Sequence, residues 1–181
     1  VRGASADSDP PSLSETAMLV EIRTLRQELD ARQGELDVVR LQLERTNAVI
    51  GYSTRYRISA DLATAVYDIA LSEGLRPDVA FALVRLESRF DVRARSHVGA
   101  LGLTQVLPST ARLYEPGLTE EQLYDRDTTL RLGFRYLGDL LDRYEGDLER
   151  ALLAYNRGPA RVQELLDRGD DPRNGYSAAI L

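Results

Sequence analysis

Leu86-Glu87-Ser88-Arg89-Phe90 places a carboxylate at the end of a strongly apolar run, Val79-Ala80-Phe81-Ala82-Leu83-Val84-Arg85-Leu86. At helical spacing Glu87 shares a face with Ala80, Leu83 and Val84. Such a face makes the charged carboxylate costly, so its pKa should rise, which is the condition a general acid needs near neutral pH. The alternative is a glutamate that turns to solvent at the helix end, as most do. Fifteen residues after Glu87, Gly102-Leu103-Thr104-Gln105 supplies a tight turn with a polar tip.

Two later segments carry further polar and phenolic groups: Leu153-Ala154-Tyr155-Asn156-Arg157-Gly158-Pro159, and Asn174-Gly175-Tyr176. Together the four segments resemble the family-1 lytic transglycosylases, the soluble-lytic-transglycosylase catalytic domain related to goose-type lysozyme. Glu87-Ser88 is similar to the family's catalytic Glu-Ser pair. Gly102 to Gln105 is similar to its Gly-Leu-Met-Gln turn, with Thr104 where Met is usual. Ala154-Tyr155-Asn156 is similar to its Ala-Tyr-Asn motif, continued by the Asn-x-Gly-Pro that usually follows. Order and spacing both fit, and the resemblance covers residues 59–181.

The resemblance implies a peptidoglycan lytic transglycosylase that cleaves the MurNAc-GlcNAc β-1,4 bond and forms 1,6-anhydromuramic acid. Glu87 would act as general acid and then as base. Ser88 would help position the sugar or the catalytic carboxyl, and Gln105 would bind sugar amide or hydroxyl groups. Gly102, lacking a Cβ, would let the backbone approach a ligand closely. Tyr155 would offer a phenol within reach of Glu87, Asn156 would both donate and accept, and Tyr176 would stand on the cleft wall. Each has a plainer role open to it. Ser88 could bond its own helix, Gln105 could satisfy the turn, Tyr155 could be core, and Asn156 to Pro159 could be an inter-helix turn. Thr104 for Met puts the apolar contact with a sugar ring in doubt, but not the acid. The family implies no cofactor and no metal, glycan strands as the partner, and a periplasmic or cell-envelope location.

Glycosidases usually use two carboxylates, and the sequence offers one good candidate. Asp78 and Asp91 flank the helix and read as capping or solvated charges. Those between 115 and 149 fall mainly on exposed faces or at helix starts. One acid suffices where the substrate supplies its own nucleophile, which in this family is the muramoyl C6 hydroxyl. A lysozyme-like hydrolase and a non-catalytic peptidoglycan-binding or scaffolding module are the competing readings, and a coiled-coil interaction protein is a third.

Composition narrows the field. The net charge of −6 disfavours a nucleic-acid binder, which needs a basic excess to displace phosphate counterions. All 23 basic residues are arginine. The absence of cysteine excludes disulfides and thiolate metal sites, and a single histidine, His97, argues against a histidine metal cluster or a Ser-His-Asp triad. No run of about 18 apolar residues occurs, so no transmembrane helix is expected. The chain begins at Val1 rather than Met, so an export signal is expected to have been removed or to lie outside it.

The elements that must position these groups read as all-α: a lysozyme-like domain of several short helices preceded by a long N-terminal coiled-coil helix. Residues 1–13 are small, polar and Pro-broken and are expected to be disordered. Residues 14–50 form the coiled-coil helix. With Ile22 at heptad position a, the a positions are Ile22, Leu29, Leu36, Leu43 and Ile50, and the d positions Met18, Leu25, Arg32, Val39 and Thr46. Such a seam suits self-association or a protein partner; docking on the chain's own domain is the alternative. Residues 51–58 read as a linker. Residues 59–181 form the catalytic domain, with helices expected over 60–73, from Pro77 to Glu87, from Pro108, over 128–144, over 147–155 and over 159–168. Thr119 to Gln122 has capping-box spacing.

Overall fold

A computed structural model describes residues 13–181, so the expected disordered segment lies outside the described residues up to Leu13, where helix α1 begins. The chain divides into two units, residues 1–48 and 49–181.

The described part of the first unit belongs to α1 (Leu13–Tyr56). Every residue from 14 to 47 is exposed, including the apolar seam at a and d. Local bonds knit this stretch. The hydroxyls of Thr24 and Thr46 donate to the carbonyls of Val20 and Gln42, and Arg32 pairs with Glu35 at 2.8 Å. Gly34, inside the helix, costs about 1 kcal/mol relative to alanine.

The second unit is built from α2 (Ala60–Ser72), α3 (Pro77–Ser88), α4 (Pro108–Tyr114), α5 (Arg126–Arg143), α6 (Leu148–Arg157) and α7 (Pro159–Asp167). Two short 3-10 turns, Glu121–Tyr124 and Ser177–Ala179, complete it. The helix starts follow from local chemistry. Ser59, Asp125 and Asp147 each accept an N–H of the first turn of α2, α5 and α6, and Pro77, Pro108 and Pro159 open the other three. The capping box at Thr119 forms with both bonds in place: the Thr119 N–H donates to Gln122 Oε1, and the Gln122 N–H donates to Thr119 Oγ1. It opens a 3-10 turn rather than an α-helix. Among the described residues there is no strand; two isolated bridges tie Leu101 to Arg95 and to Val106.

The segment read as a linker differs from that expectation. Residues 51–56 continue α1, and their tyrosines cover α3. The Tyr52 ring lies 4.0 Å from Phe81 at an interplanar angle of 4°, and Tyr56 lies 5.6 Å from the same ring. Tyr52 and Tyr56 fall one turn apart on one helix face, so a rigid helix presents both rings at once. Each stacked pair adds about 0.5–1.5 kcal/mol beyond the area it buries. Packing of the second unit therefore starts at Val49, which is itself buried, ten residues before the expected domain boundary.

Two apolar clusters hold this unit together. The larger one gathers Val66 from α2, Phe81 and Leu83 from α3, Leu130, Phe134 and Leu137 from α5, and Leu152 from α6. The smaller one joins Leu101 and Val106 to Ala111, Leu118, Leu123 and Leu132. α5 contributes to both, so it fixes the 101–106 turn relative to the last turn of α3, which carries Glu87.

Candidate active site

Glu87 occupies the last turn of α3, and the chain reverses directly after it. Arg89 and Phe90 take positive φ angles of 53° and 66°, an unfavourable conformation for residues with a Cβ. Ser88 supports this exit: its hydroxyl donates to the Val84 carbonyl at 3.1 Å and accepts the Phe90 N–H at 3.2 Å. Ser88 is buried and spends its hydroxyl on its own helix, so it does not face the cleft. Its contribution to the site is to fix the turn on which Glu87 rides.

The cleft beside Glu87 has a volume of about 460 Å³. Gln105, Tyr155 and Asn156 line it with Glu87, as do Tyr136 and the apolar edge of Val98, Val106 and Leu107. Burial pushes the Glu87 carboxyl above the ordinary carboxylate value, and a hydrogen bond from Tyr176 partly opposes that rise. The carbonyl end of the α3 dipole lies at the same place and also disfavours negative charge. Glu87 is the one carboxylate among the residues lining this cleft. Asp78 pairs with Arg76, and Asp91 accepts the Arg93 N–H, so both flanking aspartates serve local structure.

Tyr176 reaches Glu87 from the far end of the sequence, and its hydroxyl donates to Glu87 Oε1. Three bonds fasten the segment that carries it. Arg157 donates to the Pro172 carbonyl at 2.7 Å, Asn174 Nδ2 donates to Asn156 Oδ1 at 2.8 Å, and the Tyr176 N–H donates to Asn174 Oδ1 at 3.2 Å. The end of α6 is thus a clamp for the segment that delivers the phenol. Asn156 lines the cleft and, with its oxygen engaged by Asn174, has its amide N–H₂ left as a donor.

Tyr155 lines the cleft with Glu87, and its hydroxyl is engaged elsewhere. Its hydroxyl donates to the Thr104 carbonyl at 2.8 Å, so the direct phenol bond to Glu87 belongs to Tyr176. Burial first, and the Glu87 charge second, push the Tyr155 phenol well above its usual range. Tyr176 is raised for the same two reasons. Both phenols are thereby favoured in the protonated form, in which each donates.

The 101–106 turn closes by paired backbone bonds between Leu101 and Val106, at 3.0 and 3.2 Å. Gly102 at its start is buried, with φ 72°. A Cβ there would collide with the Leu123 carbonyl and come within 2.7 Å of Thr129 Oγ1. The glycine is needed for close packing of the turn on its neighbours. Gln105, at φ 49°, donates both amide hydrogens to the carbonyls of Ala94 and Gly102, which leaves its oxygen as an acceptor in the cleft.

Thr104 is fully buried and sits in the notch over Gly133 of α5. Its hydroxyl donates to the Thr129 carbonyl at 2.6 Å. The side chain at this position points into the fold, so the exchange of Met for Thr alters packing against α5 rather than a surface of the cleft. Arg157, which by sequence could line the cleft but reads more simply as a solvated charge, does line it, and so does Tyr136, which sequence reasoning does not single out. The Asn-Arg-Gly-Pro turn gave a signal for Arg157, whereas Tyr136 had none beyond helical spacing on α5.

An all-helical domain with one desolvated glutamate in a cleft, held by a phenol and faced by amide groups, defines a lysozyme-like fold. The chain belongs to the transglycosylase SLT domain family, whose model matches residues 52–174. It is 34% identical to the soluble lytic murein transglycosylase of Escherichia coli K12 over 93 residues, 48% of this chain and 14% of that protein. It is 39% identical to the transglycosylase of Enterobacteria phage PRD1 over 84 residues, 46% of this chain and 30% of that protein. Among solved structures it resembles an inactive mutant of lytic transglycosylase Slt from Pseudomonas aeruginosa. That likeness has a TM-score of 0.55 and 30% identity and covers 64% of this chain and 21% of that one. The 70 kDa soluble lytic transglycosylase of Escherichia coli gives a TM-score of 0.55 at 26% identity, covering 71% of this chain and 22% of that one. The chain thus spans less than a third of the length of each of these relatives.

Proposed function

We propose that this chain carries a peptidoglycan lytic transglycosylase activity, with Glu87 as its acid and base. The observation that carries the proposal is the solitary, desolvated Glu87 in a cleft that presents no second carboxylate. Hydrolytic glycosidases place a second carboxyl about 5–9.5 Å from the first, to act as nucleophile or to activate water. A cleft with one acid suits a substrate that brings its own nucleophile. Glu87 gives its proton to the glycosidic oxygen as the bond from C1 of the muramoyl residue breaks. The same carboxylate then takes the proton of the muramoyl C6 hydroxyl as the O6–C1 bond closes the anhydro ring. The carboxyl returns to its protonated form and no water is consumed.

Tyr176 holds Glu87 in one rotamer and steadies its charged form between the two proton transfers. Gln105 and Asn156 offer an acceptor and a donor of the kind that sugar hydroxyls and acetamido groups need. The fold likeness and the family membership support this reading, and the location it calls for is the bacterial cell envelope. Among the described residues no helix is long and apolar enough to cross a membrane. The exposed heptad seam of α1 supports a second role, association with a protein partner.

Incubation with purified peptidoglycan, beside a Glu87→Gln variant, tests the reading. Soluble muropeptides are expected from the parent and not from the variant. Binding to the wall without products from either protein would favour the scaffolding role instead.

A further inference from the structure

The seam of α1 presents Met18, Ile22, Leu25, Leu29, Leu36, Val39 and Leu43 to solvent, each 41–66% exposed. The residues beside it are sorted by charge. In the heptad register set by Ile22 at a, the g positions are Glu21, Glu28, Glu35 and Gln42, and the e positions include Arg26, Gln33 and Arg40. In a parallel pair g of one chain meets e of the next heptad of the other; in an antiparallel pair g meets g and e meets e. We infer that α1 pairs with α1 of a second copy of this chain, parallel and in register, through the Met18–Leu43 seam. That arrangement sets Glu21 against Arg26 of the second copy and Glu35 against Arg40 of the second copy, twice over by symmetry. The antiparallel alternative sets glutamates against glutamates and arginines against arginines.

Arg32 at d limits the assembly to two chains. Its guanidinium already bonds Glu35 of its own helix at the edge of the seam, so in a two-stranded pair it extends outward to solvent. Three or four strands would enclose several guanidinium groups at one level. Gly34 falls at f, on the outer face, where it leaves no hole between the helices. Val20, Val38 and Leu41 lie off the seam and stay exposed in the pair. Because the second unit follows the Met18–Leu43 seam in sequence in each chain, parallel pairing links two glycan-binding units, and binding to a polymer gains from their linkage. The pairing itself does not depend on the glycan chemistry.

Sedimentation equilibrium of the full chain should give twice the 20.2 kDa of one copy. Reversing g alone (Glu21→Arg with Glu35→Arg) or e alone (Arg26→Glu with Arg40→Glu) should each weaken self-association about tenfold or more. Mixing the two variants should restore a mixed dimer, which excludes misfolding as the cause. The chain has no cysteine, so orientation can be read by cross-linking. Met18→Cys, on the seam, should form a disulfide-linked dimer, and Val20→Cys, on the outer face, should not. A monomer, a trimer or larger species, or a dimer whose Met18→Cys form fails to link would each overturn the inference.

Discussion

The Tyr176 hydroxyl donates to Glu87 Oε1 across 89 residues of sequence, and in this way the C-terminal segment is tied to the end of α3. Burial raises the Glu87 pKa and this bond lowers it. Tyr176→Phe should therefore raise the pKa further. General-acid activity is present while Glu87 holds its proton and is lost as pH rises through that pKa, so the alkaline limb of kcat/KM should move to higher pH. With one hydrogen bond to the charged intermediate gone, kcat should fall about tenfold. A pH–rate profile of both proteins checks it; an unmoved limb would separate Tyr176 from the acid.

Glu87→Gln should reduce turnover by about 10²–10⁴-fold, the range for loss of a general acid–base group. It should also stabilise the fold at neutral pH. The raised folded pKa means that the stability linked to Glu87 is full below the unfolded value and is lost as pH rises through the folded one. Gln carries no such dependence. Thermal melts should show the variant above the parent at neutral pH, with the gap closing as pH falls below the usual carboxylate range.

Arg157 and Asn174 act through Tyr176 if the clamp at the end of α6 is what positions the phenol. Asn174→Ala should lower kcat more than it raises KM. Combined with Tyr176→Phe it should add little, since both remove the same contact. A double-mutant cycle on kcat measures this coupling; full additivity would mean that Asn174 works elsewhere.

Gly133 and Thr104 should behave as a pair. Gly133→Ala drives a methyl into the Thr104 side chain and threatens its bond to the Thr129 carbonyl, at a cost of about 1–3 kcal/mol. Thr104→Gly removes every Thr104 atom that the new methyl would meet, so the double variant should recover part of the loss made by Gly133→Ala. Denaturant unfolding of the four proteins tests the coupling.

The aromatic cover on α3 predicts where the second unit starts. Tyr52→Ala removes the ring stacked on Phe81 and should destabilise this unit by about 2–4 kcal/mol. A chain beginning at residue 59 should melt well below one beginning at 49. Equal stability of the two would restore residues 51–58 to the status of a linker.

The helices were legible because their punctuation is chemical: Pro77, Pro108 and Pro159 start helices, and Gly158 separates α6 from α7. The end of α1 is not legible in the same way, because Ile50 closes the heptad pattern while the tyrosines that follow pack on another core. Their spacing of four residues was the available signal. At the site, residue types named the acid, but which partner each polar group takes is set by tertiary packing. Ser88 bonds its own helix, Tyr155 bonds the turn and Tyr176 bonds Glu87. Two tyrosines 21 positions apart cannot be ranked by sequence for reach to one carboxylate. Gly102 and Thr104 look alike in a motif whether they face a sugar or a helix, and here they face the fold.

The most direct test of the account is digestion of peptidoglycan in water enriched in heavy oxygen, with the released muropeptides weighed by mass spectrometry. If Glu87 works with a nucleophile supplied by the substrate, the products end in 1,6-anhydromuramic acid, one water lighter than reducing-end fragments and free of the label. Labelled reducing-end products would contradict it, and would call for a water as the nucleophile in place of the C6 hydroxyl.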